Sequence, residues 1–239
     1  MLPTSPIDRL GSYDEALQRF HATGPEFDGY LSNHGPMVVE ALARLDRSDR
    51  IHGWTDTYLR RLDEAPRGID PIRADGWQEA LGDPRRAGDW IDHFVPRVGE
   101  QPWEELLTTW WPRLLPGIAA GATHGVIRVG HAVRALRAAE SEPRRRELAH
   151  ALAYWATRWR PVPIITPTGA YGVPAAVAGV PRVADQSLGI GHRLDQLAAT
   201  AGWETSLLAL AAPTGAEAVP AALEHLVAGV LAHYAARAH

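Results

Sequence analysis

Residues 117–136 read GIAAGATHGVIRVGHAVRAL, and the interpretation of the whole chain starts from them. As one helix, the stretch places His124, Arg128 and His131 on a single stripe, at offsets of four and seven residues. Most of the residues between them are small or apolar, and polar groups on such a helix need partners when they are buried. The stretch predicts either the wall of a functional site or a packed core helix with one solvated edge.

Three glycines interrupt this predicted helix, at Gly121, Gly125 and Gly130. Each weakens a helix by about 1 kcal/mol relative to alanine. Their presence predicts that another backbone or a ligand comes close to this helix.

The segments on either side are also helical. Residues 102–116, PWEELLTTWWPRLLP, are rich in tryptophan, and at least one of Trp110 and Trp111 should touch the helix that follows. Downstream, Ser141 caps a helix that contains Glu147-x-x-His150. That spacing occurs in two-metal bundles, which need a second such pair. None is found, and the neighbouring arginines 144–146 place the pair on a solvated side.

A further histidine stands at a helix start near the N-terminus. In residues 31–45, LSNHGPMVVEALARL, Pro36 fits the first turn and Asn33 is a reasonable cap. His34 therefore projects from a fixed backbone. It is either a site residue or a histidine that hydrogen-bonds a turn.

The remaining pattern predicts an all-α fold. Several segments have helical periodicity and none alternates as a strand does, so we expect one globular multi-helix domain over residues 1–239. Residues 161–182 are rich in proline and glycine and predict an irregular connection, of the kind that forms lids or linkers.

Composition excludes several classes of protein. The chain has no cysteine and all 24 basic residues are arginine, so thiolate sites, Schiff-base lysines and P-loop lysines are absent from its sequence. Motifs of serine hydrolases, zincins, dinucleotide-binding folds and flavin or haem sites are not found. A net charge of −4 predicts no nucleic-acid partner. No stretch approaches the roughly 20 uncharged apolar residues of a membrane span, so a cytoplasmic location is expected. Strong metal ligands must come from His, Asp and Glu.

Four blocks of sequence resemble the questin oxidase-like family. They are SNHGPMVVEAL at 32–42, GATHGVIRVGHAVRAL at 121–136, Trp110-Trp111-Pro112 and ELAHALAYWA at 147–156. The match is scattered over about Tyr30 to Trp159. The resemblance implies an α-helical oxygenase of aromatic polyketides such as anthraquinone-like compounds, with Baeyer–Villiger-type insertion or oxidative ring opening.

The resemblance also implies a site. By position, His34 and His124 become metal or catalytic histidines that bind a non-haem Fe(II), with His131 as third ligand or proton shuttle. Arg128, one turn from His124, is expected to stabilise an anionic phenolate or enolate.

Substrate contacts are expected from Asn33, Trp110 and Trp111, because tryptophans suit the wall of a flat aromatic pocket. The expected partners are a small aromatic substrate and O2. NADPH as a co-substrate and a homo-oligomer are both compatible with the family resemblance.

The chain departs from the family pattern in two places. The family continues with another histidine-bearing helix, and here His239 corresponds at most to its first histidine, so the chain is expected to lack the family's C-terminal part. The lysine ligand proposed for some relatives has no counterpart in this sequence.

Two alternatives to the iron enzyme stay open. One is a protein that binds aromatic metabolites without turnover. The other is a cofactor-free oxygenase in which His124 deprotonates the substrate and the carbanion reacts with O2.

Overall fold

A computed structural model describes residues 6–163 and 165–236, with side chains described from residue 11 onward. The chain divides into two compact units, Met1–Pro161 and Val162–His239, which we call unit 1 and unit 2. The all-α prediction is confirmed, since the described residues form eleven α-helices and one two-stranded sheet. That residues 1–239 form a single domain stays a prediction. His239 lies outside the described residues.

The helices of unit 1 precede and follow a small hairpin. Its strands are β1 (Glu26–Phe27) and β2 (Leu31–Ser32), and its helices are α1 (Pro6–Phe20), α2 (Gly35–Arg44), α3 (Ile51–Leu59), α4 (Ala87–Glu100), α5 (Trp103–Leu114), α6 (His124–Ala138) and α7 (Glu142–Thr157). Unit 2 contains α8 (Val173–Ala178), α9 (Ile190–Asp195), α10 (Trp203–Leu208) and α11 (Val219–Ala235).

Helix α7 is the centre of unit 1. It is buried without interruption from Glu147 to Thr157, and it packs chiefly on α4 and α6. A helix that is buried on every side belongs in the middle of its domain. The predicted cap is confirmed, because the Ser141 side chain accepts a hydrogen bond from the Arg144 amide. The expectation that Glu147 and His150 face solvent is wrong, since both are buried.

Two apolar clusters hold unit 1 together. The larger one joins α4, α5, α6 and α7, and its fully buried side chains include Trp90, Phe94, Leu152 and Trp155. The smaller one joins α1, α2 and α3 to α6. Helix α6 contributes to both clusters, through Val129 and Ala132 to the larger and through Ala135 to the smaller, so this helix lies where the two parts of the core meet.

The stretch 117–136 is not one helix. Helix α6 begins only at His124, because Gly121, Ala122 and Thr123 all have left-handed backbone, with φ of 53°, 54° and 73°. The preceding residues form turns. The predicted stripe therefore starts at the first residue of the helix.

The prediction of a close backbone holds at one of the three glycines, Gly125, whereas at Gly121 the close neighbour is a side chain. A Cβ at Gly125 would lie 2.9 Å from the Trp155 backbone, and one at Gly121 would lie 2.5 Å from the Tyr154 hydroxyl. At Gly130 a Cβ would meet nothing within 4 Å, so no close approach explains this glycine.

Unit 2 is mostly exposed. The predicted irregular connection at 161–182 contains a short helix, α8, whose Val173 packs on Gly229 of α11. Residues 216–235 form the one helix in the described part of the chain that is long and apolar enough to cross a membrane by length and composition, with 6% of it buried. The sequence patterns did not lead us to expect this helix; it contains Glu217 and Glu224 and is therefore not an uncharged stretch.

Candidate functional site

Two predicted histidines meet at the starts of two helices. His34 directly precedes α2 and His124 is the first residue of α6, and these helices contact each other. Their Nε2 atoms are 3.0 Å apart, and the rings meet edge to face at 89°. His34 is exposed and His124 is half-buried. We call this pair the His34–His124 dyad.

A backbone carbonyl orients the His124 ring from its other side. The Nδ1 atom of His124 lies 2.6 Å from the Gly121 carbonyl oxygen, which can only accept, so Nδ1 carries the proton. A hydrogen bond to the Ser32 backbone favours the protonated form of His34, whose Nε2 faces His124. Burial and the nearby His124 act in the opposite direction, and the net effect lowers the pKa of His34.

This arrangement leaves a position for a cation. If each Nδ1 donates to its carbonyl, the two Nε2 atoms present lone pairs to each other across 3.0 Å. A shared proton or a bound metal removes that repulsion. Metal–imidazole bonds of about 2.0–2.1 Å at a near-right angle place the two nitrogens about 3 Å apart. Carbonyl-held imidazoles are also typical of metal ligands.

The turn before His124 is strained. Left-handed backbone costs roughly 1–2 kcal/mol at each non-glycine residue, and Ala122 and Thr123 are two such residues in succession. The turn brings the Gly121 carbonyl back to the His124 ring. Strain of this kind concentrates at functional sites.

A chain of hydrogen-bonded side chains next to the dyad was not predicted from the sequence. In the hairpin, Glu26 pairs with Ser32, so both side chains lie on one face and reach the Tyr154 hydroxyl. Tyr154 donates to Glu26 Oε1 at 3.1 Å, so Ser32 must donate to Tyr154, at 2.6 Å. Arg158 completes the chain on Glu26. The signal that could have revealed the hairpin is Asp28-Gly29, both with positive φ.

Arg128 points into the core instead of toward the dyad. Its Nε and Nη2 atoms donate to Glu147 at 2.6 and 3.0 Å, and both side chains are 3% exposed. Burial acts to raise the Glu147 pKa, but Arg128 and His21 outweigh it and hold this pKa well below its ordinary value. The guanidinium charge is therefore balanced inside the fold, and the expected role of Arg128 toward an anionic substrate is not what its contacts indicate.

His131 has a different partner from the dyad. Its Nδ1 lies 2.8 Å from Glu40, and Arg134 also binds Glu40, at 2.6 and 2.7 Å. Burial acts to raise the pKa of Glu40, but Arg134 and His131 lower it to about 2. Of the three predicted metal histidines, the structure brings together His34 and His124. Among the described residues, no three His, Asp or Glu side chains converge on a position for a metal.

The expected substrate contacts have structural partners. Asn33 is buried: its amide donates to Thr23 and the Gly24 carbonyl, and its Oδ1 accepts from the Gly35 amide at 2.9 Å. The N-cap residue of α2 is His34, so the prediction of Asn33 as the cap is wrong by one residue. Trp110 is 4% exposed and packs within the aromatic core. Trp111 is 39% exposed and meets Trp155 edge-on at 5.4 Å.

No family model, curated protein or solved structure matches this chain. The questin oxidase-like resemblance accordingly rests on the sequence blocks alone.

Proposed function

We propose that the chain is an oxygenase of acidic aromatic compounds, of the anthraquinone-like polyketide class, with the His34–His124 dyad as its reactive centre. The substrate class and the oxidation come from the sequence resemblance. The observation that carries the location is the 3.0 Å approach of the two Nε2 atoms, with the His124 ring held by the Gly121 carbonyl.

The dyad fits a divalent metal held by two imidazoles. This differs from the expected three-histidine centre, because His131 is engaged by Glu40. Fe(II) bound by His34 and His124 would supply activation of O2, with NADPH as a candidate source of electrons. Ligands beyond the two imidazoles would come from water or substrate.

The chain's own residues favour an anionic substrate at this place. Both histidines stand at helix N-termini, where the backbone dipoles attract negative charge and oppose a bare cation, so a bound metal would need an anionic ligand beside it. A phenolate or enolate fits that field. Near the dyad along the chain, Leu31 and Ile127 are 40% and 44% exposed and offer apolar surface to an aromatic ring.

A cofactor-free oxygenase is the second candidate. In it no metal is bound, and His124 acts as base through Nε2 while Nδ1 stays bonded to Gly121. The Gly121 contact supports this candidate, because a proton fixed on Nδ1 leaves the Nε2 lone pair free to accept one from the substrate. A protein that binds aromatic metabolites without turnover is separated from both by oxygen uptake.

The test is an anaerobic titration of the untagged protein with Fe(II), in which calorimetry measures the heat of binding. We expect near-stoichiometric binding, weakened at least about 100-fold by His34→Gln or His124→Gln, since each removes one of two ligands. His131→Gln is the matched control and should bind like the wild type. Folded wild-type protein that binds no Fe(II) would contradict the metal-dependent form. Oxygen uptake with a polyhydroxylated anthraquinone would then decide between the remaining candidates.

A further inference from the structure

Tyr154 lies where the supports of the two dyad histidines meet. It belongs to α7, the buried central helix, and is itself 2% exposed. On one side its hydroxyl is bonded to Ser32, which precedes His34 by two residues on the segment that leads into α2. On the other side it lies beneath Gly121, whose carbonyl holds the His124 ring.

The contact with Gly121 leaves no spare room. A Cβ on Gly121 would be 2.5 Å from the Tyr154 Oη and 3.1 Å from its Cζ. The tyrosine side chain therefore fills the space directly under the left-handed turn at residues 121–123. That turn is unfavourable by itself, so it depends on neighbours that limit its alternatives.

The contact with Ser32 has a fixed direction. Since the single Tyr154 proton goes to the Glu26 carboxylate, the tyrosine oxygen must accept from Ser32. Glu26 is in turn bound by Arg158, at the end of the same helix. Helix α7 thus binds both strands of the hairpin that leads to His34.

We infer that Tyr154 is the positioning residue of the dyad, fixing through Ser32 and Gly121 the two segments that bring His34 and His124 to one point. This inference rests on the proposed function of the dyad. It adds to that function a residue that touches neither substrate nor metal and acts only through the two loops.

The test compares Tyr154→Phe with Tyr13→Phe in the full chain. Tyr13 is also a buried tyrosine of unit 1, and it packs under Arg144. Two quantities are measured on folded protein: the Co(II) dissociation constant, and the nuclear Overhauser effect between the His34 and His124 rings. We expect Tyr154→Phe to raise the dissociation constant about 10-fold or more and to weaken the ring-to-ring signal, as loss of outer-shell support does. Tyr13→Phe should change neither.

The outcomes separate the two proposals. Wild-type protein that binds no Co(II) contradicts the metal-dependent function, while the ring-to-ring signal still judges Tyr154. Folded Tyr154→Phe with wild-type affinity and signal overturns the positioning role. If Tyr154→Phe does not fold, Ser32→Ala removes the same link from the hairpin side and must weaken the ring-to-ring signal.

Discussion

Unit 1 contains two pairs of histidines that differ in how their rings meet. His34 and His124 meet edge to face at the surface, with nitrogen aimed at nitrogen. His21 and His150 are buried and stacked, with ring centroids 4.6 Å apart and planes 25° apart. Stacked rings direct their nitrogens sideways, so they do not share a ligand position.

The charges around the two pairs differ as well. His21 Nε2 lies 3.3 Å from Glu147, without hydrogen-bond alignment, and Glu147 is bound by Arg128. The stacked histidines therefore lie next to the buried Arg128–Glu147 ion pair, which is part of the core of unit 1. In the dyad, the His124 ring has a carbonyl as its partner, which orients the ring without supplying an opposite charge. Ring orientation and the type of partner, more than the number of histidines, distinguish a candidate site from a structural cluster.

The largest expected effect comes from the Arg128–Glu147 ion pair beside the buried histidines. Glu147→Gln should lower the free energy of unfolding by about 3–5 kcal/mol, because it leaves the buried Arg128 charge without its partner. His124→Gln should cost far less, since its ring is half-buried and bonded to one carbonyl. Urea denaturation of both variants measures the contrast. Equal losses in the two variants would remove the distinction between the pairs.

The next effect concerns the turn that supports His124. Gly121→Ala should destabilise unit 1 by about 1–3 kcal/mol, since the new Cβ meets the Tyr154 hydroxyl and φ is positive. Gly130→Ala, in the interior of α6 with open space around it, should stabilise by about 0.5–1 kcal/mol. Thermal denaturation of the two variants should give shifts of opposite sign. A stabilising Gly121→Ala would show that the turn is not constrained.

The third expected effect is a change in how the free energy of unfolding varies with pH. Burial, the largest cause, lowers the pKa of His150 well below 6.5, so the unfolded chain binds a proton there that the folded chain does not. Stability contributed by neutral His150 is present above pH 6.5 and is lost as the pH falls below it. His150→Gln should reduce the slope of unfolding free energy below pH 6.5 by at most about 1.4 kcal/mol per pH unit.

Urea denaturation at several pH values between 4 and 8 checks this slope. An unchanged slope in His150→Gln would mean that the stacked pair is not the source of acid sensitivity.

Helical patterns predicted most of the fold. The start of α2 at Gly35-Pro36 and the cap at Ser141 followed from local preferences that operate within a few residues. The same preferences placed His124 inside a helix that in fact begins with it. The left-handed backbone at residues 121–123 begins at Gly121, which packs on Tyr154, and no pattern within residues 117–136 reports that contact.

The candidate site was predictable only in part. His34 and His124 were chosen by resemblance, and their convergence depends on how α2 and α6 pack. The roles of Arg128 and His131 could not be read from their spacing, because Glu147 and Glu40 lie on other helices. Periodicity reports which face of a helix a residue occupies, but it does not report what stands opposite.

The dyad joins residues that are 90 positions apart in the chain. An ion held by both imidazoles would act as a reversible cross-link that closes this long loop, and loop closure is among the entropic costs of folding. A ligand that binds only the folded state at a concentration 100 times its dissociation constant adds about 2.7 kcal/mol to stability. Occupancy of the dyad would then be recorded in the melting temperature of unit 1, and unfolding the hairpin or the turn would release the ion.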